Sequence, residues 1–103
     1  MNNNTGVNPN EVIFPKRRLD ASTLRVWVEE EHFSIETFKW DGGEYRAGIR
    51  WNGKDGSRGY PTSRCRPTWF IIPSAVALEY IEKICSAEQV EEFKSIRFGN
   101  NFQ

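Results

Sequence analysis

Hydrophobic spacing changes once along this chain, at Pro73-Ser74. Before that point apolar residues recur at every second position; after it they recur at every third or fourth. Thr23 to Glu30 alternates, with Leu24, Val26 and Val28 on one face and Arg25, Trp27 and Glu29 on the other. Period two with β-branched residues reads as a half-buried strand. Phe33 to Trp40 continues the pattern, opposing Phe33, Ile35 and Thr37 to Ser34, Glu36 and Phe38. Asp41-Gly42-Gly43 is the strongest hairpin signal, because glycine supplies the positive φ that tight primed turns need. Glu44 to Asn52 is then a return strand, with Tyr45, Ala47, Ile49 and Trp51 facing one way and Glu44, Arg46, Gly48 and Arg50 the other. Thr68 to Ile72 is a further strand-like run, closed by Pro73.

From Ser74, Val76, Leu78, Ile81 and Ile84, with Tyr80 alongside, fall at helical spacing opposite Glu79, Glu82 and Lys83. Ser74 is read as the N-cap. Ser86 with Gln89 three residues on is a capping box that opens a second helix, lined by Val90, Phe93 and Ile96 or Arg97 and stopped by Gly99. Strands followed by helices predict an α+β fold: an antiparallel meander of four or five strands with two C-terminal helices packed on one face. The alternative is an SH3-like barrel with a helical appendage. A chain of 103 residues is one domain, able to bury about 65% of its unfolded surface. Residues 1–10 read as a disordered polar lead and 11–103 as the domain. Glu11 to Phe14, stopped by Pro15 and the run Lys16-Arg17-Arg18, is expected as an edge strand.

Lys and Arg balance Asp and Glu at 14 each, yet the charge is segregated. Glu29, Glu30, Glu31, Glu36, Asp41 and Glu44 crowd residues 29–44 against Lys39 alone. Arg46, Arg50, Lys54, Arg58, Arg64 and Arg66 crowd residues 46–66 against Asp55 alone. Such a division implies either an anionic partner at the basic segment or pairing between the two segments. The basic part centres on Gly53 to Pro67, a loop long enough to carry function. Tyr60 lies within it, and Trp51 and Trp69 bracket it. Guanidinium groups pair with phosphate, and aromatic faces stack on bases. Its run GKDGSRG is not a phosphate-cradling GxxxxGK[ST] loop, which excludes nucleotide hydrolysis by that device.

Other chemistry is weakly signalled. Cys65 stands between Arg64 and Arg66, which favours a thiolate, but the only general base to hand is His32. A nucleophile needs such a partner beside it, and nothing in the sequence brings the two together. One histidine beside Glu29, Glu30 and Glu31 is a poor ligand set, so no metal and no cofactor are expected. Cys85 falls among apolar helix positions and reads as a buried thiol. Two cysteines make no disulfide framework, the N-terminus has no signal-peptide pattern, and no run has the length of a membrane helix. A reducing cytoplasm and no membrane partner are the expectation.

Two resemblances follow from residues already quoted. The run RWNGKDGSRGYPTSRCRPTWFIIP resembles, in size and style, the small orphan proteins carried on integron and other mobile gene cassettes, which imply no activity. Separately, IIPSAVALEYI is similar to the closing segment of the plasmid-borne type II dihydrofolate reductases, small SH3-like barrels that work as tetramers. In that family an apolar-Gln-Ile-Tyr strand before the proline forms the folate and nicotinamide site. Here that strand is Trp69-Phe70-Ile71-Ile72, so Phe70 and Ile72 stand at the glutamine and tyrosine positions. The likeness therefore implies a strand–proline–helix joint and no reductase activity.

The sequence thus supports a non-catalytic binding module for an anionic partner, nucleic acid above others. Its candidate contacts are Arg46, Arg50, Lys54, Arg58, Arg64 and Arg66, with Tyr60, Trp51 and Trp69 stacking. One alternative is an interaction or adaptor module, dimerising through Trp27, Phe38 and Trp40. Another is a small-molecule binder or enzyme with its pocket under the loop.

Overall fold

The computed structural model describes residues 8–53, 58–64 and 66–99. Four strands form one antiparallel sheet: β1 (Leu19–Glu29), β2 (Phe33–Trp40), β3 (Tyr45–Trp51) and β6 (Phe70–Ile72), in the order β1-β2-β3-β6. A short hairpin of β4 (Thr62–Ser63) and β5 (Arg66–Pro67) projects from the β3–β6 connection. Helices α1 (Ser74–Ile84) and α2 (Ala87–Lys94) follow. The expected α+β architecture is therefore present. The sheet is open, with β1 and β6 as its edges, so the barrel alternative does not hold. Among the described residues no helix is long and apolar enough to cross a membrane.

Turn chemistry fixes the meander. Asp41 and Gly42 both take left-handed backbone, at φ 58° and 67°, and the flanking strands register Lys39 against Tyr45. Two positive φ values in succession match the right-handed twist of the paired strands.

Each face of the sheet has its own core. On one face Trp27, Val28, Ile35 and Ala47 pack against Ala77 and Ile81 of α1 and Phe93 of α2. The Phe93 ring meets Trp27 edge-on at 5.3 Å. On the other face Phe38 and Trp69 pack with Val12 and Leu19. Gly48 makes that second core possible, since a Cβ there would lie 3.0 Å from both the Phe38 ring and the Trp69 Cβ. The N-terminal segment lies across this face as a strap. Asn8 caps a 3-10 turn at Pro9–Glu11, Pro9 and Val12 are buried, and the Trp69 Nε1 donates to the Val12 carbonyl at 2.9 Å. The segment expected as an edge strand is thus a packed strap without strand pairing.

Three local expectations change. The alternation of Thr23 to Glu30 is broken by a bulge: Val26 pairs with Glu36 but Val28 pairs with Ile35, leaving Trp27 as the extra residue. Consequently Trp27 and Val28 both enter the helix-side core while Leu24 packs on the strap side. On α1 the buried positions are Ala77 and Ile81, whereas Val76 and Ile84 are exposed. Its N-cap is Pro73, without a side-chain cap, and Ser74 is already helical. The capping box at Ser86 and Gln89 forms as expected.

Candidate nucleic-acid interface

Arg50 organises the basic loop from within. It sits on β3 facing the strap-side core and is only 1% exposed. Its Nη1 donates to the Thr68 carbonyl at 2.7 Å and to the Pro61 carbonyl at 3.4 Å, and its Nη2 donates to the Arg58 carbonyl. One guanidinium thus gathers three backbone acceptors from residues 58–68, as its forked donors allow. Gly59 lets the chain pass: a Cβ there, at φ 70°, would strike the Trp51 carbonyl oxygen. Arg50 is therefore a structural residue, and the expectation that it contacts a partner is withdrawn.

Behind Arg50 lies Glu36, fully buried, whose two carboxyl oxygens have no hydrogen-bond partner among the described residues. Burial pushes its carboxyl up to about 9, against the pull of Arg50 and with a small push from Glu29. The group is consequently a neutral acid at pH 7. Burial also lowers the Arg50 guanidinium, with Glu36 opposing. Nearby, the Ser34 hydroxyl bonds Asn52 Oδ1 at 2.8 Å, and Asn52 Nδ2 donates to the Glu30 carbonyl at 3.1 Å. These bonds tie the β1–β2 turn to the end of β3.

With the loop held this way, its hairpin faces the strap. Phe14, Lys16 and Arg17 from the strap and Arg64, Arg66 and Trp69 from the hairpin side line a groove of about 460 Å³. The Arg66 guanidinium lies 4.5 Å over the Phe14 ring and the Lys16 ammonium 5.3 Å from it. Among the described residues no carboxylate comes within 4.0 Å of Lys16, Arg17, Arg64 or Arg66. All four side chains are exposed. Among the described residues the groove therefore presents four cations without a carboxylate partner over an aromatic and proline floor, the composition that phosphate or carboxylate groups seek.

The other expected contacts divide. Arg58 is exposed and its carbonyl is held by Arg50. Arg46 has a largely buried side chain, 3.9 Å from Glu44 and donating to the Tyr45 carbonyl at 3.3 Å. Lys54 and Cys65 lie outside the described residues. Trp69 is buried against Phe38 and cannot stack on a ligand from the surface, whereas Trp51 and Tyr60 are exposed. Of the expected dimer face, Trp27 and Phe38 are core residues. Trp40 is half-buried, packed on Phe38 with Arg18 at 6.0 Å over its ring. Trp27 belongs to the helix-side core, and Phe38 and Trp40 to the strap side, so the three rings do not share one face of the sheet.

Lys16 and Arg17 are the groove residues that sequence reasoning missed. The charge run itself was visible, but only as a stop to an apolar piece. Its neighbour Arg18 points elsewhere, 3.7 Å from Asp41. His32 is an exposed turn residue 3.8 Å from Glu31. No group of three or more metal-ligating side chains gathers among the described residues. Cys85 is partly buried, its thiol raised by burial and 3.6 Å from the Trp27 carbonyl.

No protein-family model, curated protein or solved structure matches this chain.

Proposed function

We propose that the protein is a non-catalytic module that binds the phosphate backbone of a nucleic acid in the groove between strap and hairpin. The observation that carries this reading is the convergence of Lys16 and Arg17 with Arg64 and Arg66, from segments almost fifty residues apart, on one groove without carboxylates. Internal pairing is the competing account of a basic segment, and among the described residues these four cations have no carboxylate partner. The cytoplasm is the compartment that fits both the free Cys85 thiol and such a partner.

Salt dependence tests the reading. Four phosphate contacts give a log–log slope of about −4 on duplex and about −3 on a single strand. Titrating labelled oligonucleotides at several salt concentrations should return those slopes. No binding at low salt, or binding indifferent to salt, would remove the proposal.

The groove volume favours a second reading. About 460 Å³ is within the range of small-ligand pockets, so an anionic small molecule such as a nucleotide fits the same residues. A nucleotide panel read by thermal shift separates the two: a rise in Tm with mononucleotides that oligonucleotides do not improve supports the small ligand.

A further inference from the structure

Three exposed rings stand together at the far end of the same loop, on the opposite face of the sheet. Trp51 is 56% exposed, Tyr60 58% and Phe70 43%. Their placement is set by backbone pairing. Trp51 and Tyr60 exchange both backbone hydrogen bonds, at 2.7 and 3.0 Å, and Phe70 stands opposite Ile49. Ile49 and Trp51 are two positions apart on one strand, so all three rings share the face that carries the helices. The Tyr60 and Phe70 centroids are 5.4 Å apart, and Phe33 backs Trp51 at 6.2 Å. Large rings are normally drawn into a core. Here they are fixed in position by the sheet and left open to solvent.

These rings connect to the groove through the hairpin. Only Pro61, Thr62 and Ser63 separate Tyr60 from Arg64. A four-residue step spans at most about 14 Å, so Tyr60 on the ring side and Arg64 in the groove lie within that reach of each other. Arg58, two residues before Tyr60 in the chain, is exposed.

We infer that the nucleic acid bound by the groove is single-stranded, with its phosphates on Lys16, Arg17, Arg64 and Arg66 and its unpaired bases stacked on Trp51, Tyr60 and Phe70. The inference rests on the groove reading and adds the substrate class. A duplex keeps its bases inside and presents only phosphates to such a surface. A single strand offers a flexible backbone and free π-faces, so it can reach from groove to rings and satisfy both at once. Charge selects this occupant over an apolar protein partner through the groove alone, where Lys16, Arg17, Arg64 and Arg66 have no carboxylate partner among the described residues. The rings themselves border the β1–β2 turn, since Phe33 pairs with Trp51 and the Asn52 amide donates to the His32 carbonyl.

The test compares a short labelled oligothymidylate, the matching oligouridylate and a duplex of the same length, by fluorescence anisotropy at low and moderate salt. At moderate salt the single strands should bind at least about ten-fold more tightly than the duplex, and Trp51 emission should quench on binding. Trp51→Ala and Tyr60→Ala should each weaken single-strand binding by roughly five-fold or more while leaving the salt slope unchanged. Trp51→Phe should restore most of the loss, which a merely structural role would not predict. Both positions are exposed, and an unchanged Tm would confirm that the variants fold. Equal affinity for duplex and single strand, with no effect of either alanine, would overturn the inference while a retained salt slope kept the groove. Absence of binding to any oligonucleotide would overturn both. A dimer that dissociates on Trp51→Ala would assign the rings to a second copy and also overturn it.

Discussion

Glu36 is a carboxyl group placed where water cannot reach it. Below pH 4.5 it is protonated whether the chain is folded or not, and its burial carries no charge penalty. Above that, the unfolded chain releases the proton while the folded protein keeps it until about pH 9. The folded state then holds the extra proton, so stability falls as pH rises across this window, by about 1 kcal/mol per unit from this group alone. Glu36→Gln removes the ionisation without changing the shape. Its denaturation midpoint in urea should exceed that of the parent at pH 8 and approach it at pH 4. A variant less stable than the parent at pH 8 would show that Glu36 is ionised and paired. Arg50 is the opposite case: truncation leaves three loop carbonyls without a donor. Arg50→Met should cost about 3 kcal/mol or more, and amide exchange should rise across residues 58–68.

Strands and helices were legible in the sequence because their periods are local. Leu24 to Val28 shows where that legibility ends. One extra residue in β1 reverses the facing of everything beyond it, and only the cross-strand partners, Glu36 and Ile35, reveal the slip. Gly48 is similar: the sequence shows a glycine inside a strand, but not the two rings that need its missing side chain. Gly48→Ala should destabilise by about 1–3 kcal/mol through overpacking against Phe38 and Trp69, read as a lowered Tm. The capping box was readable because Ser86 and Gln89 are near neighbours. Ser86→Ala should cost about 1 kcal/mol, confined to a transition that reports α2.

At the scale of the molecule, zero net charge conceals two poles. Glu79, Glu82, Glu88, Glu91 and Glu92 are exposed on the helices, while Lys16, Arg17, Arg64 and Arg66 gather beside the strap on the other side of the sheet. Segregation along the sequence anticipated the basic pole but misjudged its membership. Arg50 was counted as a contact because its neighbours are basic, although its position in β3 turns it inward. Lys16 and Arg17 were passed over, because nothing local shows that the strap returns to the hairpin. Folding exchanges one set for the other and leaves a pole that would orient the protein toward a polyanion. The most direct measurement is the salt dependence of single-strand binding for the parent and for Lys16→Ala with Arg66→Ala. The parent slope should be about −3 and the double variant's about −1.4, since each lost cation removes about 0.7. Identical slopes for the two proteins would contradict the account.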